Sequence, residues 1–476
     1  MKIISSGEFD SYWKSAALQK NDRDVDALVT EIIDAVRAQG DEAVRRYAAR
    51  FEKFPVTQFE IPLPELTHAE AELRLHEPEL AGAIELASEH IYKFSLKQKA
   101  QFTDFEYEMD KGLVTGQRII PVDKAAVYIP AGRFPLFSSV LMGLIPAFCA
   151  GVEQLVLASP PRENGLPDRR ILAAAGISAQ ICGVLNTGRG GAGNLPAAAS
   201  ASGPGSAPQV PQLRIFALGG AQAIAGLALG TDTIPRVSLI AGPGNKYVAA
   251  AKRILFGEVG IDFIAGPTDV LIIAGDTAAD RDCEDAAGLI AADMIAQAEH
   301  DPDACSRCLV PSPELAQCIV AALDKQLEVL PESKTARASL DSGGVIIVYR
   351  HREEAFRIAN IIAPEHLQLH GADTEAWIPH LKNYGSLFMG SLSAEVLGDY
   401  SAGINHTLPT SGSARFTGGL SVRNFLKTVT TLRCFPGKGY ESALNAAEIL
   451  AGAEGLSGHA QSAALRRLQG RTPPVV

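Results

Sequence analysis

The chain has 476 residues, 47% of them hydrophobic and 20% charged, with a formal net charge of −11. That length holds two or more domains around a large core, and the composition is that of an ordinary soluble globular protein. The acidic balance argues against a nucleic-acid or anionic-membrane partner and leaves a small ligand open.

The longest apolar run, Val140 to Val152, is interrupted by Gly143 and Pro146 and is too short to span a bilayer. Residues Met1 to Asp10 contain no apolar signal core. Seven thinly spread cysteines suit a reducing cytoplasm better than a disulfide framework.

In chain order, residues 22–52 predict two helices, with Gly40-Asp41 between them and Asp41 as the N-cap of the second. A further helical stretch covers about 67–100. From Lys124 the pattern becomes alternating strand and helix. Strands are expected at 125–129, 154–158, 214–218, 237–240, 269–273 and 344–348, with helices around 139–150, from Ala221, and from Lys246 to Leu255. This alternation predicts a mostly parallel sheet covered by helices, with ligands at the carboxyl ends of the strands. The glycine turns Gly219-Gly220 and Gly242-Pro243-Gly244-Asn245 offer free backbone N–H groups there, a cradle for an anion or phosphate.

Residues 187–211 are low in complexity and too poor in large side chains to pack a core, which reads as a surface insertion. Within them, Gly188-Arg-Gly190-Gly-Ala-Gly193 matches the dinucleotide fingerprint GxGxxG. Neither an opening helix nor an acid about 20 residues on follows it, so it is set aside as a cofactor site.

Several polar clusters carry the chemistry. The segment Ala291 to Pro302 predicts a helix ended by Asp301-Pro302, with Gln297 and His300 at i and i+3 on its last turn. An imidazole beside an amide oxygen can supply half of a zinc shell, or be a plain helix end. Glu365-His366, after Pro364, pairs a carboxylate with an imidazole and so offers a base and a water activator; a helix N-terminus is the alternative. Gly398-Asp399 to Asn405-His406 reads as a glycine-flanked loop. Glu454 and His459 stand near the end of the chain. Cys305-Ser-Arg-Cys308 lacks a second pair at zinc-ribbon spacing and reads as free thiols beside a strand. No cysteine, Cys149 and Cys182 included, sits in a base-bearing context suited to a nucleophile.

Taken together and in order, these motifs resemble those of the histidinol dehydrogenase family. The resemblance runs from about Asp24 to Arg467. It is carried by Gln39-Gly-Asp-Glu-Ala-Val44, Tyr128-Ile-Pro-Ala-Gly132, Gly219-Gly-Ala-Gln222-Ala-Ile224, Gly242-Pro-Gly-Asn245 and Ala265-Gly-Pro267. Ala296-Gln-Ala-Glu-His-Asp301, Pro364-Glu-His366, Gly398-Asp399, Asn405-His406, Glu454 and His459 complete it.

The resemblance implies an α/β fold of two Rossmann-like parallel-sheet domains, of the aldehyde-dehydrogenase-like kind, with a helical N-terminal segment and a C-terminal dimerisation tail. The implied division is an N-terminal segment 1–22, a catalytic domain from 23–127 and 268–419, an NAD-binding domain at 128–267 with its insertion at about 185–213, and a tail from 420 to 476. It implies a cytoplasmic, zinc-dependent and NAD-linked oxidation of L-histidinol to L-histidine. Gln297, His300, Asp399 and His459 would hold one zinc per subunit. Glu365 and His366 would be catalytic, and Tyr128, Gln222 and Asn245 would line the NAD site. Thr268, Gln297, His300, His366, Asp399, His406, Glu454 and His459 would touch substrate, the last two reaching the partner's site in a homodimer. Where the family has Ser-Glu, this chain has Thr268-Asp269, which retains the hydroxyl. A related zinc and NAD dehydrogenase of another small alcohol, such as a sulfonated diol, and a catalytically silent homologue stay open at this level.

Overall fold

Short apolar runs bounded by turns form two six-stranded sheets in this computed structural model, which describes residues 1–17, 23–131, 135–185, 211–276 and 283–469. The first sheet has the order Glu60–Ile61, Gln212–Ala217, Gln154–Ser159, Lys124–Tyr128, Leu239–Ala241, Gly260–Ile261. Its pairings are parallel except at the short Glu60–Ile61 edge. Strands covered on both faces carry no polar alternation, and Ala125 to Tyr128 and Leu155 to Ser159 are buried throughout. One face packs against helices Arg23–Gln39, Gly220–Leu229 and Lys246–Leu255.

The second sheet has the order Lys2–Ser5, Val345–Val348, Cys305–Val310, Asp269–Ala274, His366–His370, Ser386–Met389, parallel throughout. Helices Cys283–Ala298 and Pro313–Val329 cover one face, and Phe9–Ala17 and Arg352–Ile362 the other. In each sheet the chain builds outward from a central strand, then returns to build on that strand's other side. The reversals fall between Lys124–Tyr128 and Leu239–Ala241, and between Asp269–Ala274 and His366–His370. Such reversals part the connections and open a crevice.

Both sheets belong to one compact unit, residues 1–97 with 122–425. Residues 98–121 and 426–476 form a second unit. There, strands Phe105–Asp110, Leu113–Pro121 and Leu426–Cys434 make an antiparallel sheet, followed by helices Lys438–Ala453 and Ser457–Gln469. The boundary drawn at 420 therefore falls at Leu426, where pairing with Pro121 begins. Lys2–Ser5, set apart as an N-terminal segment, completes the edge of the second sheet.

Other local expectations shift. Gly40 is the cap of helix Asp41–Phe51, while Asp41 is its first residue and turns its carboxylate to Thr231 and Arg45. The stretch at 67–100 is two helices, Pro64–His76 and Pro78–Lys99, because a proline interrupts the hydrogen-bond ladder. The helix that bears Gln297 ends at Ala298, so His300 lies past its last turn. Glu365-His366 opens a strand instead of a helix, and Asp399 sits in a short helix, Glu395–Tyr400, instead of a loop. Cys305 and Cys308 lie within a strand, as free thiols. The insertion, its Gly188 to Gly193 motif, and Gly132 lie outside the described residues.

The turn after Leu239–Ala241 is fastened from below. Lys252, 2% exposed, donates to the Gly242 carbonyl at 2.9 Å and to Asp262, whose other oxygen accepts from the Gly242 amide at 2.8 Å. Removing one partner of a buried pair leaves an uncompensated charge. Asp262→Ala is expected to destabilise the protein by about 3–5 kcal/mol, read by urea denaturation. A change within about 0.5 kcal/mol, the range of an ordinary surface substitution, would contradict this.

Candidate active site

The parallel register of two central strands assembles the site. Val270 pairs with His366, which sets the Thr268-Asp269 turn beside Glu365. Ala363 ends helix Arg352–Ile362 in a left-handed conformation, φ 50°, and Pro364 cannot continue the helix. The chain then passes close to Gly385, where a Cβ would lie 2.5 Å from the Glu365 carbonyl oxygen.

Glu365 is buried, and its Oε2 accepts from the Asp269 amide at 3.0 Å. Its own amide donates to Asp269 Oδ1 at 3.2 Å, and Asp269 is anchored by Arg307 at 2.9 Å. The Thr268 hydroxyl lies between the Glu365 carboxylate and the Gln297 amide. Gln297 is fully buried; with its nitrogen toward Glu395 it donates to that carboxylate, and its oxygen accepts from the Asp269 amide at 3.3 Å.

His366 stands among three carboxylates. Its Nδ1 is 3.3 Å from Glu395 and 3.9 Å from Glu365, and its Nε2 is 3.6 Å from Asp399. Neither ring nitrogen makes a hydrogen bond. His406 is tied down at both nitrogens, 2.8 Å from the Asp399 carbonyl oxygen and 3.0 Å from the Ser139 hydroxyl. Asn405 beside it donates to the Met142 carbonyl at 2.7 Å.

Burial pushes Glu365 up to about 7 and Glu395 up to about 8, in both cases against the pull of His366. Burial works against charging His366, but Glu395, Glu365 and Asp399 outweigh it and raise it to about 10. Burial likewise opposes the ionised form of Asp399. His366, His406 and His300 overcome that and hold its carboxyl below the usual range.

The cluster thus sets three carboxyl groups against one imidazole, and two of those carboxyls are held back from ionising. It lies at the amino ends of the second sheet's strands, not at the carboxyl ends expected for ligands. Helix Cys283–Ala298 ends on this side, and a helix C-terminus favours a cation. His366, Glu395 and Asp399 offer ligand atoms within 4.8 Å of one another. The His366 nitrogens, both without a hydrogen-bond partner, are the imidazole donors of this set, so the cluster offers the N and O donors that a divalent cation takes.

Of the expected ligands, Asp399 belongs to this cluster and Gln297 adjoins it. His300 is exposed, yet close enough to act on Asp399. His459, on helix Ser457–Gln469, and Glu454, at the end of helix Lys438–Ala453, are exposed members of the second unit. Sequence reasoning missed Glu395. Its spacing of four from Asp399 was the available signal, concealed because that segment read as a loop.

A second feature lies at the carboxyl edge of the first sheet. A cavity of about 610 Å³ is lined there by Tyr128, Gln222 and Asn245 together with Leu28, Ile32, Phe51, Glu52 and Tyr247. Its size and mainly apolar walls suit a nucleotide-like ligand, so the residues expected for NAD do line one space. The glycine turns are not free cradles, however. The Gly219 amide donates to Glu52 at 2.9 Å, the Gly220 amide to the Tyr128 hydroxyl at 3.1 Å, and the Tyr247 and Val248 amides to the Asn245 side chain at 3.1 Å. Burial raises the Glu52 carboxyl, opposed by its bonds to Gly219 and Gln222.

A doubly wound α/β pair of sheets, with an acid–base cluster on one and a nucleotide-sized cavity on the other, defines a dehydrogenase-like enzyme. The profile of the histidinol dehydrogenase family matches residues 16–214 and 210–467. Histidinol dehydrogenase of Thermus thermophilus is 41% identical over 446 residues, covering 94% of this chain and 95% of that one. That of Oceanobacillus iheyensis is 34% identical, covering 98% and 99%. The crystal structure of histidinol dehydrogenase from Elizabethkingia anophelis superposes with a TM-score of 0.81 at 32% identity, covering 95% and 94%. The chain belongs to the histidinol dehydrogenase family of oxidoreductases.

The raised Glu365 has a consequence for stability. A carboxyl held at about 7 when folded contributes stability that is full below the unfolded value near 4.5 and is lost as pH rises through 7. In metal-free protein, Glu365→Gln is expected to melt higher than the parent at pH 8, with the advantage shrinking at pH 5. A melting difference that does not vary with pH would contradict the burial of an ionisable Glu365.

Proposed function

We propose that the protein oxidises L-histidinol to L-histidine through L-histidinal, the closing steps of histidine biosynthesis, in two hydride transfers to NAD. The observation that carries this reading is the buried Glu365–His366 pair at the cation-favouring cluster. Two oxidations at one carbon need a base for the hydroxyl proton and a second group that activates water. Overall, the alcohol, one water and two NAD⁺ give the carboxylate, two NADH and three protons.

Zinc, held by Gln297, His300 and Asp399 with His459 supplied by a second copy of the chain, would anchor the substrate's imidazole and amine and offset the charge that otherwise keeps His366 protonated. His366 would take the hydroxyl proton, and NAD, when bound, would supply the hydride acceptor. Glu365, held near 7 by burial, is poised to receive a proton from the water that adds to the aldehyde, with His366 assisting. Thr268 directs its hydroxyl at Glu365 and so orients that carboxylate. His406, fastened to Asp399 and Ser139, and Glu454 supplied by the second copy of the chain would complete the substrate's surroundings. Holding the aldehyde by its other groups between steps prevents its escape.

The cavity that gathers Tyr128, Gln222 and Asn245 supports NAD as the acceptor and argues against a silent homologue. Exposed apolar side chains in the second unit, among them Leu432 at 67%, Ile449 at 61% and Leu450 at 63%, support a homodimer in which these surfaces are covered. No helix among the described residues is long and apolar enough to cross a membrane.

With L-histidinol, two NADH per substrate are expected, and a chelator should abolish turnover until zinc is restored. His366→Ala should lower kcat by about 10²–10⁴. Cys149→Ala with Cys182→Ala should leave activity intact, because both thiols are buried and burial pushes Cys182 well up. A thousandfold loss there, by the same assay, would overturn the mechanism.

A further inference from the structure

Glu365 is closed into a ring with Asp269. The Asp269 amide donates to Glu365 Oε2 at 3.0 Å, and the Glu365 amide donates to Asp269 Oδ1 at 3.2 Å. Each main chain thus holds the other residue's carboxylate. The remaining oxygen, Asp269 Oδ2, accepts from Arg307 Nη1 at 2.9 Å, in a pair whose side chains are only 12% and 10% exposed.

The sheet decides where this pair stands. Leu271 lies opposite Arg307 in the parallel register. Side chains two apart share a face, so Asp269 and Arg307 stand on the face of Leu271, Ile273 and Leu309. Helix Phe9–Ala17 packs there, and the Arg307 guanidinium lies over the Trp13 ring, 5.4 Å from its centroid. Trp13 in turn stacks on the fully buried Phe9 at 5.6 Å. A guanidinium is suited to this double task, a carboxylate at its edge and an aromatic ring against its plane. His366, by contrast, points to the opposite face with Gln368 and His370. The two members of the Glu365–His366 pair are therefore supported from opposite sides of one sheet.

The support differs in what it can disturb. Without its cation, Asp269 is an uncompensated buried charge and turns toward water. That opens the ring and releases the Glu365 amide, while the surroundings of His366 on the other face stay in place. A displacement of about 1 Å at a reacting group can cost about 10²-fold in rate.

We propose that Arg307 is a positioning residue for the second oxidation: acting through Asp269, it fixes Glu365 where the acid meets the water that adds to the aldehyde, and it leaves the first hydride transfer untouched. The assignment rests on Glu365 being the water activator.

The test is single-turnover NADH formation by zinc-loaded full-length protein, measured from L-histidinol and separately from supplied L-histidinal. Arg307→Met is expected to slow the reaction of histidinal about 10²-fold while the first NADH from histidinol stays within about threefold of wild type. Arg307→Lys returns a cation opposite Asp269 and should recover at least about tenfold of that loss. The double variant Arg307→Met with Asp269→Leu replaces the whole pair by apolar side chains, a change that buried pairs often tolerate in stability. It removes the Oδ1 tether without stranding a charge and should show the same split, so it carries the test if Arg307→Met does not fold. Equal losses in the two steps, an unchanged rate with histidinal, or no recovery in Arg307→Lys overturns the assignment. Glu365→Gln in the same assay separates the two ideas. A split there that the Arg307 variants lack removes the role of Arg307 alone, whereas equal slowing of both steps in Glu365→Gln sinks the reading of Glu365 and the Arg307 assignment with it.

Discussion

The parallel pairing of Asp269–Ala274 with His366–His370 is the constraint on which the rest depends. Val270 opposite His366 fixes where Thr268, Asp269 and Glu365 stand. Side chains alternate across a strand, so a slip of one residue would turn His366 to the other face and bury it among the apolar side chains there. The register is secured because Leu367 and Leu369 belong to the core on one face while His366, Gln368 and His370 point to the other. One apolar alternation thus both holds the sheet together and commits a row of polar side chains to a buried position.

That row is costly to bury, and its neighbours explain how it is tolerated. Asp269 is held by Arg307, Glu365 by a backbone amide and a hydroxyl, and Gln368 by Asp293 at 2.6 Å. His366 is left without a hydrogen bond at either ring nitrogen, in the midst of carboxylates. Buried polar groups without partners are rare and tend to be functional. The two sheets use opposite edges for opposite tasks. At the carboxyl edge of the first, helix N-termini are filled by Glu52 and Asn245 around a largely apolar cavity. At the amino edge of the second, a helix C-terminus and clustered acids make an environment for a cation.

Much of the α/β architecture was legible in the sequence, because strands buried on both faces are continuous apolar runs and the glycine turns between them are hard to mistake. Tyr128, Gln222 and Asn245, 117 positions apart from first to last, were brought together only by the family resemblance, and in the fold they line one cavity. What the sequence concealed depended on partners distant along the chain. The amides of Gly219 and Gly220 read as free, since nothing local shows that Glu52 and the Tyr128 hydroxyl reach them. The edge of the second sheet that bears the polar cluster could not be read either, because periodicity carries no direction across a sheet. Glu395 was hidden for a related reason: a six-residue helix with Gly398 inside it and Ser401 after it looks like a turn. The three-stranded sheet of the second unit escaped notice because Phe105 to Asp110 is exposed along its whole length.

The central claim is that Glu365 and His366 divide two oxidations between them, and single-turnover kinetics of Glu365→Gln with zinc-loaded protein test it most directly. The division of labour predicts that the first hydride transfer from L-histidinol survives nearly intact, while NADH formation from supplied L-histidinal falls by about 10²–10⁴, since water addition has lost its base. Equal losses in both steps would contradict it and would make Glu365 a support for the site as a whole.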